Sequence, residues 1–170
     1  TWAKLPLSII LFIFDDHVDS YLFYLWSNTK YAFADSFNIS ATLNFADHKY
    51  GNTPVYIQTN INGNQVDSAP KFFGQINSHF IVNEQLLMTL SILKQGRYYT
   101  DAENMHEYAG HTLTNLTAQY QITPDITLNL RWLNILDKAY ANRADYSTFS
   151  GDRYFPGEPS SVYTNIQIRY

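Results

Sequence analysis

The feature that most constrains this chain is the spacing of its apolar residues, which from Phe37 onward repeats every two positions and not every 3.6. In residues 37–45 every odd position is apolar and every even position is small and polar. Residues 126–132 follow the same rule, with Arg131 on the polar side and Trp132 on the apolar side. Because successive side chains of a β-strand point to opposite faces, this period predicts strands with one apolar and one wet face.

Alternation of this kind predicts six strands after residue 36. They are residues 37–45, 71–82, 85–99, 111–121, 126–132 and 162–170. The first 36 residues fit the pattern less well, and we interpret two apolar runs there, 5–14 and 21–26, as two further strands. The chain is therefore divided into a poorly patterned N-terminal segment, residues 1–36, and a regular all-β region, residues 37–170.

The connections between the predicted strands alternate in length. Residues 82–85 and 122–125 form tight turns, whereas residues 50–69, 100–110 and 141–159 are long and polar. Short turns at one end and long loops at the other are typical of an outer-membrane β-barrel, with periplasm at the turns and the cell exterior at the loops. Aromatic residues at the short-turn end supply the girdle expected there. These are Phe37, Phe80, Tyr120 and Tyr170.

Composition agrees with strands that face lipid on one side and a wet interior on the other. Aromatic residues make up 16% and charged residues 15% of the chain, while the mean hydropathy is only −0.27. Charged residues are about 25% of a soluble domain. The most apolar run, residues 5–14, is shorter than the ~20 residues of a membrane-spanning helix. It also makes a poor signal peptide, which suggests a mature or truncated chain. The predicted fold class is all-β, an antiparallel transmembrane β-barrel segment of about eight strands.

Several functions are disfavoured by what the sequence contains. There is no cysteine, so thiolate metal sites and thiol catalysis are excluded. The net charge of −4 without a basic stripe argues against nucleic acid as a partner. No Gly-x-Ser-x-Gly, His-Glu-x-x-His or phosphate-binding loop is present, so we expect neither an enzyme nor a cofactor. The group Asp15, Asp16, His17 and Asp19 lacks the glycine and spacing of a calcium loop and is interpreted as a solvated turn, so no metal site is predicted.

Three local patterns resemble the closing strands of TonB-dependent outer-membrane receptors. Residues 110–116 followed by Tyr120 look like the family's strand that leads into a short turn. Residues 134–140, Asn-Ile-Leu-Asp-Lys-Ala-Tyr, are similar to the family's Asn-Leu-x-Asp-x-x-Tyr signature. Residues 154–159, Tyr-Phe-Pro-Gly-Glu-Pro, precede an alternating strand that ends on an aromatic residue. The order and spacing of the three patterns, over residues 37–170, resemble the C-terminal strands of such a receptor barrel.

The resemblance implies a function and a set of partners. Family members import scarce nutrients, most often iron–siderophore complexes, through the bacterial outer membrane. Energy reaches them from the TonB complex through a plug domain, which this chain does not include. The partners implied are therefore outer-membrane lipid, TonB through that plug, a metal chelate or similar ligand, and the barrel-assembly machinery. The assembly signal would be the apolar residues of the last strand, Ile166, Ile168 and Tyr170.

Three features depart from the family pattern. Ser160 stands where the family commonly has Arg, so a salt bridge made there is absent. Asn134 falls on the lipid-facing parity of its strand, which predicts either a bulge or a strand that has already left the membrane. Family members have a barrel of about 22 strands around a plug, whereas about eight strands are predicted here.

Two groups of residues are candidates for function, and neither is catalytic. Loops at the mouth of a barrel meet the ligand first, and two of the predicted long loops mix aromatic, histidine and charged side chains. The candidate substrate-binding residues are Tyr98, Tyr99, Asp101, His106, Tyr108, Arg143, Tyr146 and Arg153. Polar side chains at alternate strand positions are predicted to face the lumen. These are Asn115, Gln119, Asn129, Arg131, Asn165, Gln167 and Arg169.

Two alternatives are left open by the sequence. Outer-membrane barrels begin at 8 strands, so a small complete barrel is possible if residues 5–14 pair with residues 162–170. A soluble lipocalin-like barrel would instead point its apolar residues inward.

Overall fold

Eight long strands and four short ones make up the computed structural model, which describes residues 8–16, 20–53 and 58–169. The strands are β1 Ser8–Asp16, β2 Ser20–Ala34, β3 Phe37–Tyr50, β4 Phe72–Ile81, β5 Leu86–Gln95, β6 Tyr98–Tyr99, β7 Glu107–Tyr108, β8 His111–Thr123, β9 Ile126–Leu133, β10 Ala141–Ser147, β11 Gly151–Pro156 and β12 Ser161–Ile168. No helix in the described ranges has both the length and the apolar character needed to cross a membrane.

The eight long strands form one antiparallel sheet in the order β1-β2-β3-β4-β5-β8-β9-β12. Neighbours in the sheet are neighbours in sequence apart from the short strands inserted between them. The fold class predicted from the period of two is therefore confirmed. β1 and β12 lie at opposite edges, so the described strands form an open wall and not a closed barrel.

Two of the differences between predicted and observed strand boundaries have a clear physical reason. β2 continues to Ala34 through a polar stretch that lacks alternation, because pairing with β3, for example Lys30 with Ser40, supplies its hydrogen bonds. The predicted strand 85–99 is interrupted after Gln95, where Gly96 donates its N–H to the Phe72 carbonyl at 2.7 Å. Tyr98 and Tyr99 consequently belong to a separate short hairpin.

The short turns lie at one end of the sheet and the long connections at the other, as predicted. Residues 35–36, 82–85 and 124–125 are the short turns. Beside them Phe37 stacks on Phe80 with ring centroids 4.8 Å apart, and Phe33 stacks on Phe37 at 5.4 Å. Tyr170 and residues 17–19, which include His17 and Asp19, lie outside the described residues.

The two faces of the sheet differ sharply in chemistry. The register places Leu43 beside Gly74 and Leu90 beside Leu116 on what we call the apolar face. Gly74 leaves room there for the Phe72 and Leu43 side chains, which an added Cβ would meet at 2.8 and 3.0 Å. The opposite face, called the polar face, carries most of the Asn, Gln, Ser and Thr residues of these strands. The buried apolar residues of the described chain lie outside the sheet. They are Ile61, Tyr98, Tyr108, Ala141 and Ala144.

Candidate functional site

Three long connections meet at one end of the sheet, and we call them mouth loop 1 (residues 51–71), mouth loop 2 (residues 96–110) and mouth loop 3 (residues 134–160). Mouth loop 2 contains the β6–β7 hairpin, and mouth loop 3 contains the β10–β11 hairpin. They are the only described part of the chain with an internal apolar core, formed by two tyrosines and two alanines. Their packing decides which of the candidate residues are available to a ligand.

Two tyrosine hydroxyls join mouth loop 2 to mouth loop 3. The Tyr98 hydroxyl accepts from the Ala144 N–H at 2.8 Å and donates to the Ala144 carbonyl at 3.2 Å. The Tyr108 hydroxyl does the same with Ala141, at 3.0 and 3.2 Å. Burial raises the pKa of Tyr98, which favours the neutral hydroxyl that can both donate and accept. Tyr98 and Tyr108 are 5% and 9% exposed, so both serve the packing between the two loops.

Asn104 joins mouth loop 2 to mouth loop 1. It has a positive φ of 60°, and its amide exchanges two hydrogen bonds with the Gln65 backbone, at 2.8 and 2.9 Å. The Asn64 side chain donates to the Ala102 carbonyl at 3.0 Å. Asp101 holds the same turn, because its carboxylate accepts the N–H groups of Met105 and His106. The three mouth loops are thus bonded into one assembly.

The outer side of this assembly carries the exposed members of the candidate set. The His106 ring stacks on Tyr146 with centroids 3.6 Å apart, and its Nδ1 lies 3.2 Å from an Asp152 oxygen. Arg143 and Arg153 each donate to Asp145 at 2.6 Å. The hydrogen bond from Arg153 is the main reason that the pKa of Asp145 is held below its ordinary value.

The eight candidate binding residues therefore separate into two groups. Tyr98, Tyr108 and Asp101 are buried and bonded to backbone. Tyr99, His106, Arg143, Tyr146 and Arg153 are at least partly exposed. The sequence did not reveal the role of Asn104, because a polar residue in a polar loop gives no signal of the cross-loop bonds that it makes.

The seven candidate lumen residues all lie on the polar face. Gln119 is opposite Asn129 and Asn129 is opposite Asn165, while Gln167 is opposite Thr127. Arg131 lines a shallow depression on this face together with Thr117. Asn115 accepts the Asn134 N–H at 2.8 Å, and Arg169 donates its N–H to the Asp125 carbonyl at 2.9 Å.

Polar residues that sequence analysis did not select continue this face across β4 and β5. Ser91 and Gln75 both donate to the Asn77 side-chain oxygen, at 2.8 and 2.7 Å. The His79 Nδ1 lies 2.9 Å from the Thr89 hydroxyl. Their alternation is looser in sequence than that of β9 and β12, and the face becomes evident only when the register is known.

Solved structures share this architecture. The siderophore receptor PiuA from Acinetobacter baumannii is similar with a TM-score of 0.74 at 20% identity, over 89% of this chain and 22% of its own. The chain has the fold of a TonB-dependent receptor barrel wall. The ferripyoverdine receptor of the outer membrane of Pseudomonas aeruginosa, bound to ferripyoverdine, is similar with a TM-score of 0.63 at 14% identity, over 88% of this chain and 19% of its own. The copper transporter OprC gives a TM-score of 0.69 at 14% identity, over 95% and 27%.

The chain thus spans about a fifth to a quarter of the length of these receptors. These neighbours are receptors and transporters, not enzymes. No protein-family model and no curated protein sequence matches the chain.

The receptor-like signature at 134–140 has a structural role in this fold. β9 ends at Leu133, and Asn134 turns the chain with a positive φ of 49°, so Asn134 lies beyond the strand and not in a bulge of it. The buried Asn134 amide donates to the carbonyls of Lys138 and Glu158, at 3.0 and 3.1 Å. Its oxygen accepts the Lys138 N–H at 2.9 Å. This one side chain joins the start of mouth loop 3 to its end.

The remaining motif residues complete the same closure. Tyr140 packs so closely on Gly157 that an added Cβ would lie 2.1 Å from its ring. The Asp137 carboxylate accepts the Ser160 N–H at 2.9 Å. Ser160, which replaces the family's usual Arg, accepts a hydrogen bond from the Trp132 indole at 2.9 Å. The motif therefore fixes how the last loop returns to β12.

Proposed function

We propose that this chain is the C-terminal part of the barrel of a TonB-dependent receptor that imports a scarce, metal-containing nutrient across the bacterial outer membrane. An iron–siderophore complex is the cargo we favour. The support is a wall of eight antiparallel strands with one apolar and one polar face, carrying a preassembled set of long loops at one end only. In this proposal residues 1–36 supply two barrel strands, and residues 37–170 supply the closing strands.

The proposal gives each surface a partner. The apolar face would contact outer-membrane lipid, and the polar face would line the lumen beside a plug that this chain does not include. TonB would act through that plug. The barrel-assembly machinery would read Ile166, Ile168 and Tyr170 in the last strand.

Ligand contact is proposed for the exposed residues of the mouth loops. The side chains of Arg143 and Arg153 remain 65% and 48% exposed beside Asp145, and the Arg143 guanidinium lies 5.3 Å from the Phe155 ring centroid. His106 and Tyr146 offer a stacked ring pair nearby. Charged and aromatic groups together suit a metal chelate, since guanidinium groups bind its oxygens and rings cover its apolar parts.

Two measurements test the proposal. Sequencing the DNA upstream of Thr1 should reveal a plug domain and further barrel strands in frame, whereas a start codon and signal peptide directly upstream would contradict it. The complete receptor should then support uptake of radioactive iron–siderophore in a host deprived of its own receptors, and uptake should stop when TonB is deleted. Uptake of copper instead would retain the receptor proposal and exclude the iron chelate.

A further inference from the structure

Charged residues are rare on the apolar face and lie at one level of it. In the described main-sheet strands from β3 onward, the charged residues with apolar-face parity are Asp47, Lys49 and Lys94. All three lie at the long-loop ends of their strands. Lys71, directly before β4, joins them, since its Nζ lies 2.8 Å from one Asp47 oxygen and Lys49 Nζ lies 3.8 Å from the other.

The height of these residues agrees with the upper edge of an apolar membrane band. Asp47 is ten residues beyond Phe37 in the girdle, which corresponds to about 33 Å along the strand and about 25 Å along the membrane normal for the usual tilt. The apolar band of outer-membrane barrels is also about 25 Å tall. Lys94 is eight residues beyond Leu86, which pairs with the girdle residue Tyr120. The flexible side chain of Lys94 can therefore extend to the level of Asp47.

From β3 onward the charge at this level is opposite in sign to that of the chain. The three lysines exceed the single carboxylate of Asp47, in a protein with a net charge of −4. The short turns at the other end of the sheet each carry a carboxylate. These carboxylates belong to Asp35, Glu84 and Asp125. Within the described chain Lys94 has no ion-pair partner, and Lys49 and Lys71 share Asp47 between them.

We propose that Lys49, Lys71 and Lys94 bind the phosphate groups of lipid headgroups in the membrane leaflet nearest the long loops. This inference rests on the proposed function, because it requires the apolar face to contact lipid. Lysine suits the task, since its ammonium group is a compact, hydrated charge that binds phosphate without requiring a fixed geometry. Asp47 lies between Lys49 and Lys71, and from β3 onward the three ammonium groups exceed the one carboxylate of this cluster by two positive charges.

The test uses the receptor that contains this chain, reconstituted in phosphatidylcholine vesicles with and without phosphatidic acid, whose headgroup is a phosphomonoester. Bound phosphatidic acid is counted by native mass spectrometry after extraction into detergent. The variant carries Lys49→Gln, Lys71→Gln and Lys94→Gln. The matched control carries Lys30→Gln, on the polar face, and Lys138→Gln, in mouth loop 3. Insertion is measured separately by protease protection.

We expect the triple variant to bind more than about ten-fold less phosphatidic acid than the unchanged receptor, since each basic residue near an anionic lipid surface strengthens binding several-fold. The control should bind as the unchanged receptor does, and replacing the three lysines by arginine should restore binding. Normal insertion with equal lipid binding by the triple variant would overturn the lysine assignment alone. Displacement of the lipid by millimolar inorganic phosphate would assign the lysines to free anions. Failure of every form to insert would overturn the proposed function together with this inference.

Discussion

The sheet and the mouth loops of this chain bury their apolar residues in different ways. On the apolar face Ile166 and Ile168 are 62% and 61% exposed, so the wall has no core of its own. In the mouth loops Ile61 is fully buried and Tyr98 is 5% exposed. The wall therefore depends on its surroundings for stabilisation, whereas the mouth loops carry an internal core and internal hydrogen bonds. Under the proposed function, membrane and lumen contacts would stabilise the wall, while the loop conformation is set within the chain.

The largest effect is expected where the two regions join, at Gly110. This residue has a positive φ of 76°, and an added Cβ would lie 2.3 Å from the Gln95 carbonyl oxygen and 2.7 Å from Gly96. Because these atoms are backbone, they cannot move aside as a side chain does. Gly110→Val should lower the free energy of unfolding by about 4 kcal/mol or more, measured by urea unfolding in lipid vesicles.

Gly151 provides the control, since it has a similar φ of 71° with nothing within 4 Å of an added Cβ. Gly151→Val should therefore show only the backbone strain, about 1–2 kcal/mol. If both variants were equally stable, the close packing of mouth loop 2 on the end of β5 would be contradicted.

The second effect tests the wall and its two faces. Leu90 lies on the apolar face, midway along β5, where Leu90→Arg should cost about 2–4 kcal/mol in membrane stability. Gln119→Arg places the same charge on the polar face, where water is expected, and should cost less than about 1 kcal/mol. Both are measured by reversible folding into vesicles. Equal costs would contradict the assignment of the apolar face to lipid and would favour a soluble barrel.

The wall was largely predictable from the sequence, because alternation is a local signal that the fold uses directly. β9 and β12 show this best: their odd and even positions predict which residues share a face before any register is known. β2 shows the limit, since its polar half has no period and is a strand only through pairing with β3.

The mouth loops were much less predictable, because their packing depends on contacts between residues far apart in sequence. Tyr98 and Tyr108 were selected as ligand contacts on residue type alone, yet each satisfies one alanine's backbone 33 to 46 positions away. Asn134 likewise bonds to a distant residue, since its partner Glu158 is 24 positions away. Aromatic and polar residues in a loop do not reveal whether they face solvent or a neighbouring loop.

The third effect tests whether the mouth loops are self-contained. In Asn134→Asp the shape is kept, but the two hydrogen bonds donated to Lys138 and Glu158 are lost and a carboxylate faces two carbonyls. We expect a loss of about 2 kcal/mol, seen as faster protease cleavage within 134–160. Asn62→Asp, at an exposed position of mouth loop 1, should change nothing. Unchanged cleavage in Asn134→Asp would contradict the role of this residue in closing mouth loop 3.

The smallest effect concerns Asp145 and depends on pH. The pKa of Asp145 is lowered in the folded chain, mainly by the Arg153 hydrogen bond. Its contribution to stability is therefore complete above the ordinary carboxyl pKa of about 3.9. That contribution is lost as the pH falls through the lowered pKa of the folded state. The contribution of Asp145 to the stability of the β10–β11 hairpin should therefore be unchanged between pH 7 and 5 and should be lost below about pH 4. Because the chain has no cysteine, a spin label on Phe149→Cys at the exposed hairpin tip reports this mobility.

Arg153→Gln separates the ion pair from the rest of the hairpin. Without Arg153 the pKa of Asp145 should rise toward its ordinary value. At pH 6 the labelled Arg153→Gln chain should therefore be more mobile than the labelled chain that keeps Arg153. The two should be equally mobile at a pH low enough to protonate Asp145 in both. Arg143→Gln should do less, since Arg143 contributes less to the lowered pKa. A mobility difference that persisted at low pH would mean that Arg153 holds the hairpin by packing and not by its charge. The charge of the Arg153–Asp145 pair would then contribute nothing to the rigidity of the hairpin.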